Sequence, residues 1–314
     1  MKRAIAIFFA LSVMTSAMAQ KVTFMPQWTP QAQFAGFYMA QEMGFYAQEG
    51  LEVDITHIQT NSTESILTKL LSGKVDIAGQ QLLQSIIARS DGHKIVNVMQ
   101  ITQKSGLWCV SHTPISKPED LDGMTIGKWK TGYSEFCDML ETYKNLKINW
   151  VPFINGINLY VYGAVQATLC YSFSEYIALQ LAVGDIPDNQ VLKFSDFGYN
   201  CPEDALYVTD EYYARNKETV DKFVRASKKG WEYARTHRKQ TIDVVMKICS
   251  ENHIVTNRAM QERMLDNYIS LQMNQSTGKI DYAPVTEAIY DEMTAALLET
   301  GYITNKPEYK EVAR

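Results

Sequence analysis

Residues 27–40 read QWTPQAQFAGFYMA and residues 42–53 read EMGFYAQEGLEV, and these two runs decide the fold. Trp28 stands in a loop that Pro30 stiffens, because proline fixes φ and removes a donor. From Phe34 to Gln48 the apolar spacing predicts a helix, with Gly44 inside it and Gly50 after its end. Ahead of the loop Val22–Met25 reads as a strand, and beyond Gly50 the alternation of Leu51–His57 reads as a second. Strand, loop, helix and strand in succession open an alternating α/β architecture.

Outward from there the alternation continues. A helix is expected over Ser62–Ser72, capped by Ser62 or Thr63 and stopped by Gly73. Val75–Ala78 follows as a buried strand, Leu82–Ser90 as a helix and Ile95–Ile101 as a strand. After Thr113-Pro114 the pattern restarts with Pro118–Leu121 opening a short helix, Met124–Gly127 a strand and Tyr133–Lys147 a helix. Ile148–Val151, Ala167–Tyr171, Gln190–Phe194 and Ala205–Thr209 read as extended, with helices at Asn158–Tyr162 and Ser174–Val183. From Asp210 onward the chain is mostly helical, and Val220, Phe223, Val224, Ala226, Trp231 and Ala234 mark one apolar face. Two α/β units and a helical tail predict two lobes, with the tail packed back on the first. Ligands of such sheets lie beyond the carboxyl ends of strands. The loops after Met25, Ala78, Ile101, Gly127 and Tyr171 are therefore the places to look.

The first residues carry an address. Lys2 and Arg3 precede the apolar run Ala4–Val13, and Ala17-Met18-Ala19 is a small-x-small pattern, so residues 1–19 are expected to be a signal peptide cut after Ala19. A run of ten residues, nine of them apolar, falls short of the roughly 20 that span a bilayer. Export implies a periplasmic protein. A net charge of −5 with interspersed signs lacks the basic footprint of a nucleic-acid binder. The five cysteines include no CxxC pair and read as buried thiols, with one disulfide left open, and the five histidines have no metal-ligand spacing. No metal and no cofactor is expected.

The two opening runs resemble the start of type 2 periplasmic binding proteins of the taurine/sulfonate and thiamine-pyrimidine branch. That pattern is a W-x-P loop, then a helix ending in G-F/Y-Y/F-x-x-x-G-L-x-V. LSGKVDIA at 71–78, KPEDLDGMTIG at 117–127, FSEY at 173–176 and the helical stretch 213–238 match later family segments in order. The resemblance covers roughly residues 22–250. It implies two α/β lobes, each a mixed sheet flanked by helices, with the ligand in the cleft between them. Lobe 1 is expected at 21–110 plus 203–314 and lobe 2 at 111–202, with hinges near Cys109–Ser111 and Asn200–Pro202. The implied role is substrate-binding component of an ABC importer, a monomer that docks on a permease with its ATPase. Import and sensing are not separable from sequence.

The same fold serves a fungal thiamine-pyrimidine synthase, which supplies an enzymatic rival. The resemblance aligns that enzyme's cofactor lysine with Gln80, its consumed histidine with Gln84, and a further pocket histidine near Phe34. Glutamine cannot form a Schiff base, and neither glutamine nor phenylalanine offers a ring nitrogen, so the chemistry disfavours the enzyme. The expected ligand contacts are Gln27, Trp28, Gln33, Phe34, Tyr38, Gln80, Gln81, Trp108, Trp129, Tyr133, Tyr171 and Glu175. Aromatic faces suit a flat ring and carboxamides suit a heterocycle's edge. The set favours a small heteroaromatic solute, a thiamine-type pyrimidine first, over a sulfonate. Lys128 and Lys130 beside Trp129 leave an anionic group open. Tyr38 reads equally as core, and Glu175 equally as a carboxylate favouring its helix N-terminus.

Overall fold

The structure, a computed structural model, describes residues 19–58, 64–130 and 134–312. In chain order the strands are β1 (Gln20–Met25), β2 (Leu51–Ile55), β3 (Ile77–Gln80), β4 (Ile95–Gln100) and β5 (Leu107–Ser111). They continue as β6 (Thr125–Trp129), β7 (Asn149–Phe153), β8 (Ala167–Tyr171), β9 (Val191–Lys193) and β10 (Ala205–Thr209). These form two sheets, ordered β2-β1-β3-β10-β4 and β7-β6-β8-β5-β9. In the first, β1 runs parallel to β2 and β3, and β10 returns antiparallel between β3 and β4. The second repeats the scheme, with β6 parallel to β7 and β8, and β5 antiparallel to β8 and β9. The fold is thus two mixed sheets with flanking helices. The inner strand β3 is buried along its whole length, as expected of a strand covered on both faces.

The decisive helix comes in two pieces. Gly44 takes φ +68°, a left-handed conformation that breaks the expected 34–48 helix into α1 (Ala35–Glu42) and α2 (Phe45–Gln48). The next helix, α3 (Ile66–Leu71), starts later than expected. Its cap is Ser65, whose hydroxyl accepts the Thr68 N–H at 3.0 Å. The anticipated caps Ser62 and Thr63 lie outside the described residues. Then come α4 (Leu82–Ser90), α5 (Ser134–Lys144), α6 (Asn158–Val161) and α7 (Glu175–Val183).

The tail opens with α8 (Asp210–Thr236), a 27-residue helix kinked at Asn216. It crosses α1 so closely that a Cβ on Gly230 would stand 2.0 Å from the Gly36 carbonyl oxygen. Trp231 is fully buried there, edge-on to Phe37 at 5.8 Å. Helices α9 (Arg238–Glu251) and α10 (Arg258–Gln272) join the same first-lobe core. The last pair, α11 (Glu287–Glu299) and α12 (Tyr309–Val312), packs on α4 and also meets Met139 of α5. The Tyr302 hydroxyl donates to Asp138 Oδ2 at 2.5 Å, so the tail touches both sheets' helices.

Between the sheets the chain crosses twice, at residues 101–106 and again ahead of β10. Cys109–Ser111, expected to be a hinge, are strand residues paired with β8, because the apolar run enters the sheet at Leu107. The two crossings are tied together. Ile101 N–H donates to the Asp204 carbonyl at 3.0 Å, Asp204 N–H to the Thr102 hydroxyl at 3.2 Å, and Ser105 N–H to Asn200 Oδ1 at 2.9 Å. All five cysteines are free thiols. Among the described residues, no helix is long and apolar enough to cross a membrane.

Candidate functional site

Four parallel strands end at one place. The chain runs from β1 into Gln27 and Trp28, from β3 into Gln80 and Gln81, and finishes β6 at Trp129 and β8 at Tyr171. All of these line a cleft of about 520 Å³. The antiparallel β10 brings its opposite end to that edge. Ala205 pairs with Gln80, so the residue before it, Asp204, also lines the cleft.

Asp204 organises the first-lobe side. It is 2 % exposed, and both its carboxylate oxygens are taken. Gln27 Nε2 donates to Oδ1; Gln33 Nε2 and the Tyr268 hydroxyl donate to Oδ2, each at 2.6 Å. Burial pushes the carboxyl up, and these donors pull it back by favouring the charged form. A second amide continues the chain, for Gln31 Nε2 donates to Gln33 Oε1 at 2.5 Å. Gly79 is needed beside this group, since a Cβ there would stand 2.3 Å from Gln27 Oε1.

The second-lobe side is aromatic. Trp129 is 6 % exposed and packs on Tyr171 at 5.4 Å, while Tyr171 stacks on Phe173 at 4.9 Å and 19°. Glu175 accepts the Tyr171 N–H at 3.1 Å and a bond from the Trp129 side chain. Burial raises its carboxyl above the usual range, against those donors. Gln81 Nε2 reaches across to the Tyr171 hydroxyl at 3.2 Å and joins the two sides.

Trp28 is 40 % exposed at the mouth and is held from behind. His57 Nδ1 lies 2.8 Å from the Trp28 carbonyl and Nε2 2.9 Å from the Tyr38 hydroxyl. The carbonyl can only accept, so Nδ1 carries the proton and Tyr38 donates to Nε2. Burial lowers the His57 pKa, which keeps the ring neutral.

Of the expected contacts, Gln27, Trp28, Gln33, Gln80, Gln81, Trp129, Tyr171 and Glu175 line this one cleft. Three do not. Phe34 and Tyr38 are 2 % exposed in the first-lobe core, because the helix they open turns inward. Trp108 lies on the far side of the second sheet, edge-on to Tyr176 at 4.9 Å and under Lys193. Strand alternation explains it, since Leu107 and Cys109 face one cluster and Trp108 and Val110 the other. Tyr133 lies outside the described residues. Lys128 is held over the Trp150 ring at 5.7 Å and does not line the cleft. The sequence reading missed Asp204, Phe173, Asp91, His93 and Glu135, all of which line it. Gln80 and Gln84, aligned earlier with the synthase's lysine and histidine, both line the cleft as glutamines.

The family described as NMT1/THI5 like matches residues 31–241. The riboflavin-binding protein RibY of Chloroflexus aurantiacus is 24% identical over 83% of this chain and 75% of its own length. The formylaminopyrimidine-binding protein of Halalkalibacterium halodurans is 26% identical, covering 83% of this chain and 82% of its own. The 4-amino-5-hydroxymethyl-2-methylpyrimidine phosphate synthase THI13 of Saccharomyces cerevisiae is 25% identical over 68% of this chain and 66% of its own. Among solved structures, the periplasmic aliphatic sulphonate binding protein SsuA of Escherichia coli superposes with a TM-score of 0.68 at 14% identity, covering 93% of this chain and 96% of its own.

Proposed function

The chain belongs to the NMT1/THI5-like family, and from that premise we propose that it is the solute-binding component of an ABC importer, taking a small amine-bearing heteroaromatic solute of the thiamine-pyrimidine class. One observation carries the reading. The described lining residues include Asp91, Glu135, Glu175 and Asp204 and no lysine or arginine. An anionic sulfonate or phosphate brought here meets carboxylates in a partly dry cleft, where like charges repel strongly. An amino group meets acceptors. Trp28, Trp129 and Tyr171 supply ring faces for a planar guest, and the volume falls in the usual range of small-molecule sites, about 300–1,000 Å³.

Chemistry supports capture without conversion. A synthase of this fold would need a nucleophilic lysine and a histidine where Gln80 and Gln84 stand, and an amide can neither form a Schiff base nor exchange a ring proton. The proposed mechanism is closure. The lobes, residues 21–110 with 203–314 and residues 111–202 in the reading from sequence, rock about the tied crossings. Ligand touching both sides favours the closed form. The closed protein, a monomer in the periplasm after removal of residues 1–19, then presents itself to a permease and its ATPase.

Isothermal titration of the purified protein tests this against 4-amino-5-hydroxymethyl-2-methylpyrimidine, riboflavin and an alkanesulfonate. Binding of the pyrimidine, with no heat from the sulfonate, supports the proposal. Sulfonate binding with neither ring compound taken up overturns it.

A further inference from the structure

We infer that Asp204 fixes the donor and acceptor polarity of the cleft's amide wall and so makes the protein select an amino over an oxo substituent on its ring ligand. The inference rests on the heteroaromatic reading above and names what that site discriminates.

An amide side chain can face a neighbour with its N–H₂ or its carbonyl, and in an ordinary pocket it turns to suit the ligand. An ionised carboxylate offers lone pairs only. Gln27 and Gln33 both meet Asp204, on opposite oxygens, so each must turn its nitrogen toward it. Gln33 Oε1 then faces away, and only a donor can satisfy it, which forces Gln31 to turn its nitrogen inward as well. Orientation passes from one buried charge through two amides, and the outward arm of Gln31, on the cleft lining, is its carbonyl. Tyr268, fully buried, donates to the same carboxylate and leaves it no freedom to rotate. Asp204 is also fixed at the backbone, where its carbonyl takes the Ile101 N–H and the Gln100 amide. The wall is therefore set before ligand arrives. It rewards a ring edge that donates and rejects one that accepts, since a lone pair brought against a fixed carbonyl is left unpaired.

The test measures two probes by titration calorimetry: 4-amino-5-hydroxymethyl-2-methylpyrimidine and its 4-oxo counterpart, which exchanges the N–H₂ donor for a carbonyl. The wild-type protein is expected to bind the amino probe at least about tenfold tighter, because a site built for a hydrogen bond rejects the analogue that lacks it. In Asp204→Asn the central group becomes an amide that can donate or accept, the wall is free to invert, and the preference is expected to fall to within about threefold. Gln33→Met breaks the relay without touching the charge. It is expected to lose the preference as well, and it decides the matter if Asp204→Asn fails to fold by circular dichroism. An unchanged ratio in a folded variant overturns the inference while leaving the heteroaromatic reading intact. A wild type that prefers the oxo probe also overturns it. A wild type that binds neither ring but binds an alkanesulfonate overturns the reading beneath it.

Discussion

Glu203 should make the protein less stable as pH rises through neutrality. The residue sits beside Asp204 in the second crossing and is 8 % exposed. Its carboxyl accepts from the Ser105 hydroxyl and from the Gly106 N–H, so it fastens the first crossing to the second. Burial, with the neighbouring Asp204 charge adding to it, raises its pKa from 4.5 to about 8. Between those values the folded chain holds a proton that the unfolded chain has released, so stability is full below 4.5 and is lost as pH climbs to 8. The gap is 8 − 4.5, about 3.5 units at about 1.36 kcal/mol each, a ceiling near 5 kcal/mol. Against a typical total of about 5–15 kcal/mol that is a large fraction. Glu203→Gln keeps the shape and removes the proton. Urea unfolding of both proteins at pH 5, 7 and 9, with linear extrapolation, gives the difference in stability at each pH. Every other titrating group is shared, so that difference reports Glu203 together with its coupling to Asp204. It should move in the variant's favour by about 3–5 kcal/mol from pH 5 to 9, any misfit of the amide adding only a constant. Two curves that stay parallel across this range would refute the reasoning.

Trp28→Ala should weaken pyrimidine binding by about 1–3 kcal/mol in calorimetry, and unchanged affinity would remove the indole from the site. His57→Leu should do part of the same damage at a distance: it frees the Trp28 carbonyl and takes the acceptor from the buried Tyr38 hydroxyl, so a loss of affinity is expected together with a lowered melting temperature, and unchanged affinity would show that Trp28 needs no brace. Gly230→Ala should cost about 3 kcal/mol or more in unfolding experiments, because the new methyl collides with backbone rather than with a movable side chain, and a wild-type melting curve would contradict the packing of α1 on α8.

What the sequence makes legible follows from what is local. Period and punctuation place the parallel strands, and once β1, β3, β6 and β8 are found, the rule that ligands sit at carboxyl ends delivers Trp28, Gln80, Trp129 and Tyr171 to one cleft. The failures are of two kinds. Side-chain direction fails first: Trp108 points to the face of its strand opposite Leu107 and Cys109, and no residue of that strand lines the cleft, while Phe34 and Tyr38 turn into a core built by a tail some 190 residues later. A period-2 strand gives the alternation but not which face is which. Topology fails second. Asp204 precedes an antiparallel strand, so the carboxyl-end rule skips it, and only the register of Ala205 on Gln80 shows that an N-terminal end reaches the same edge. No signal in the chain around Asp204 announces it, since a lone acid before a strand is ordinary.

The same register has a consequence for how capture and movement are joined. Glu203 and Asp204 are consecutive, and in extended chain consecutive side chains point to opposite sides. Asp204 lines the cleft, while Glu203 lines an adjoining cavity of about 40 Å³, with Ser105, Tyr199, Cys201 and Met293, that shares Gln81, Gln84, Glu135 and Tyr171 with it. One peptide unit thus carries the group that orders the binding wall and the group that fastens the crossings. A rotation of the lobes that bent this segment would have to break the three donors on Asp204 or the clasp on Glu203, both of them buried and costly to leave unpaired. The bending is therefore expected elsewhere in the crossings, around Lys104 and Asn200, with the acid pair and Thr102, which is bonded to Asp204, moving as a rigid part of the first lobe. In the closure proposed above, that division would let the amide wall keep one polarity from the open form to the closed one.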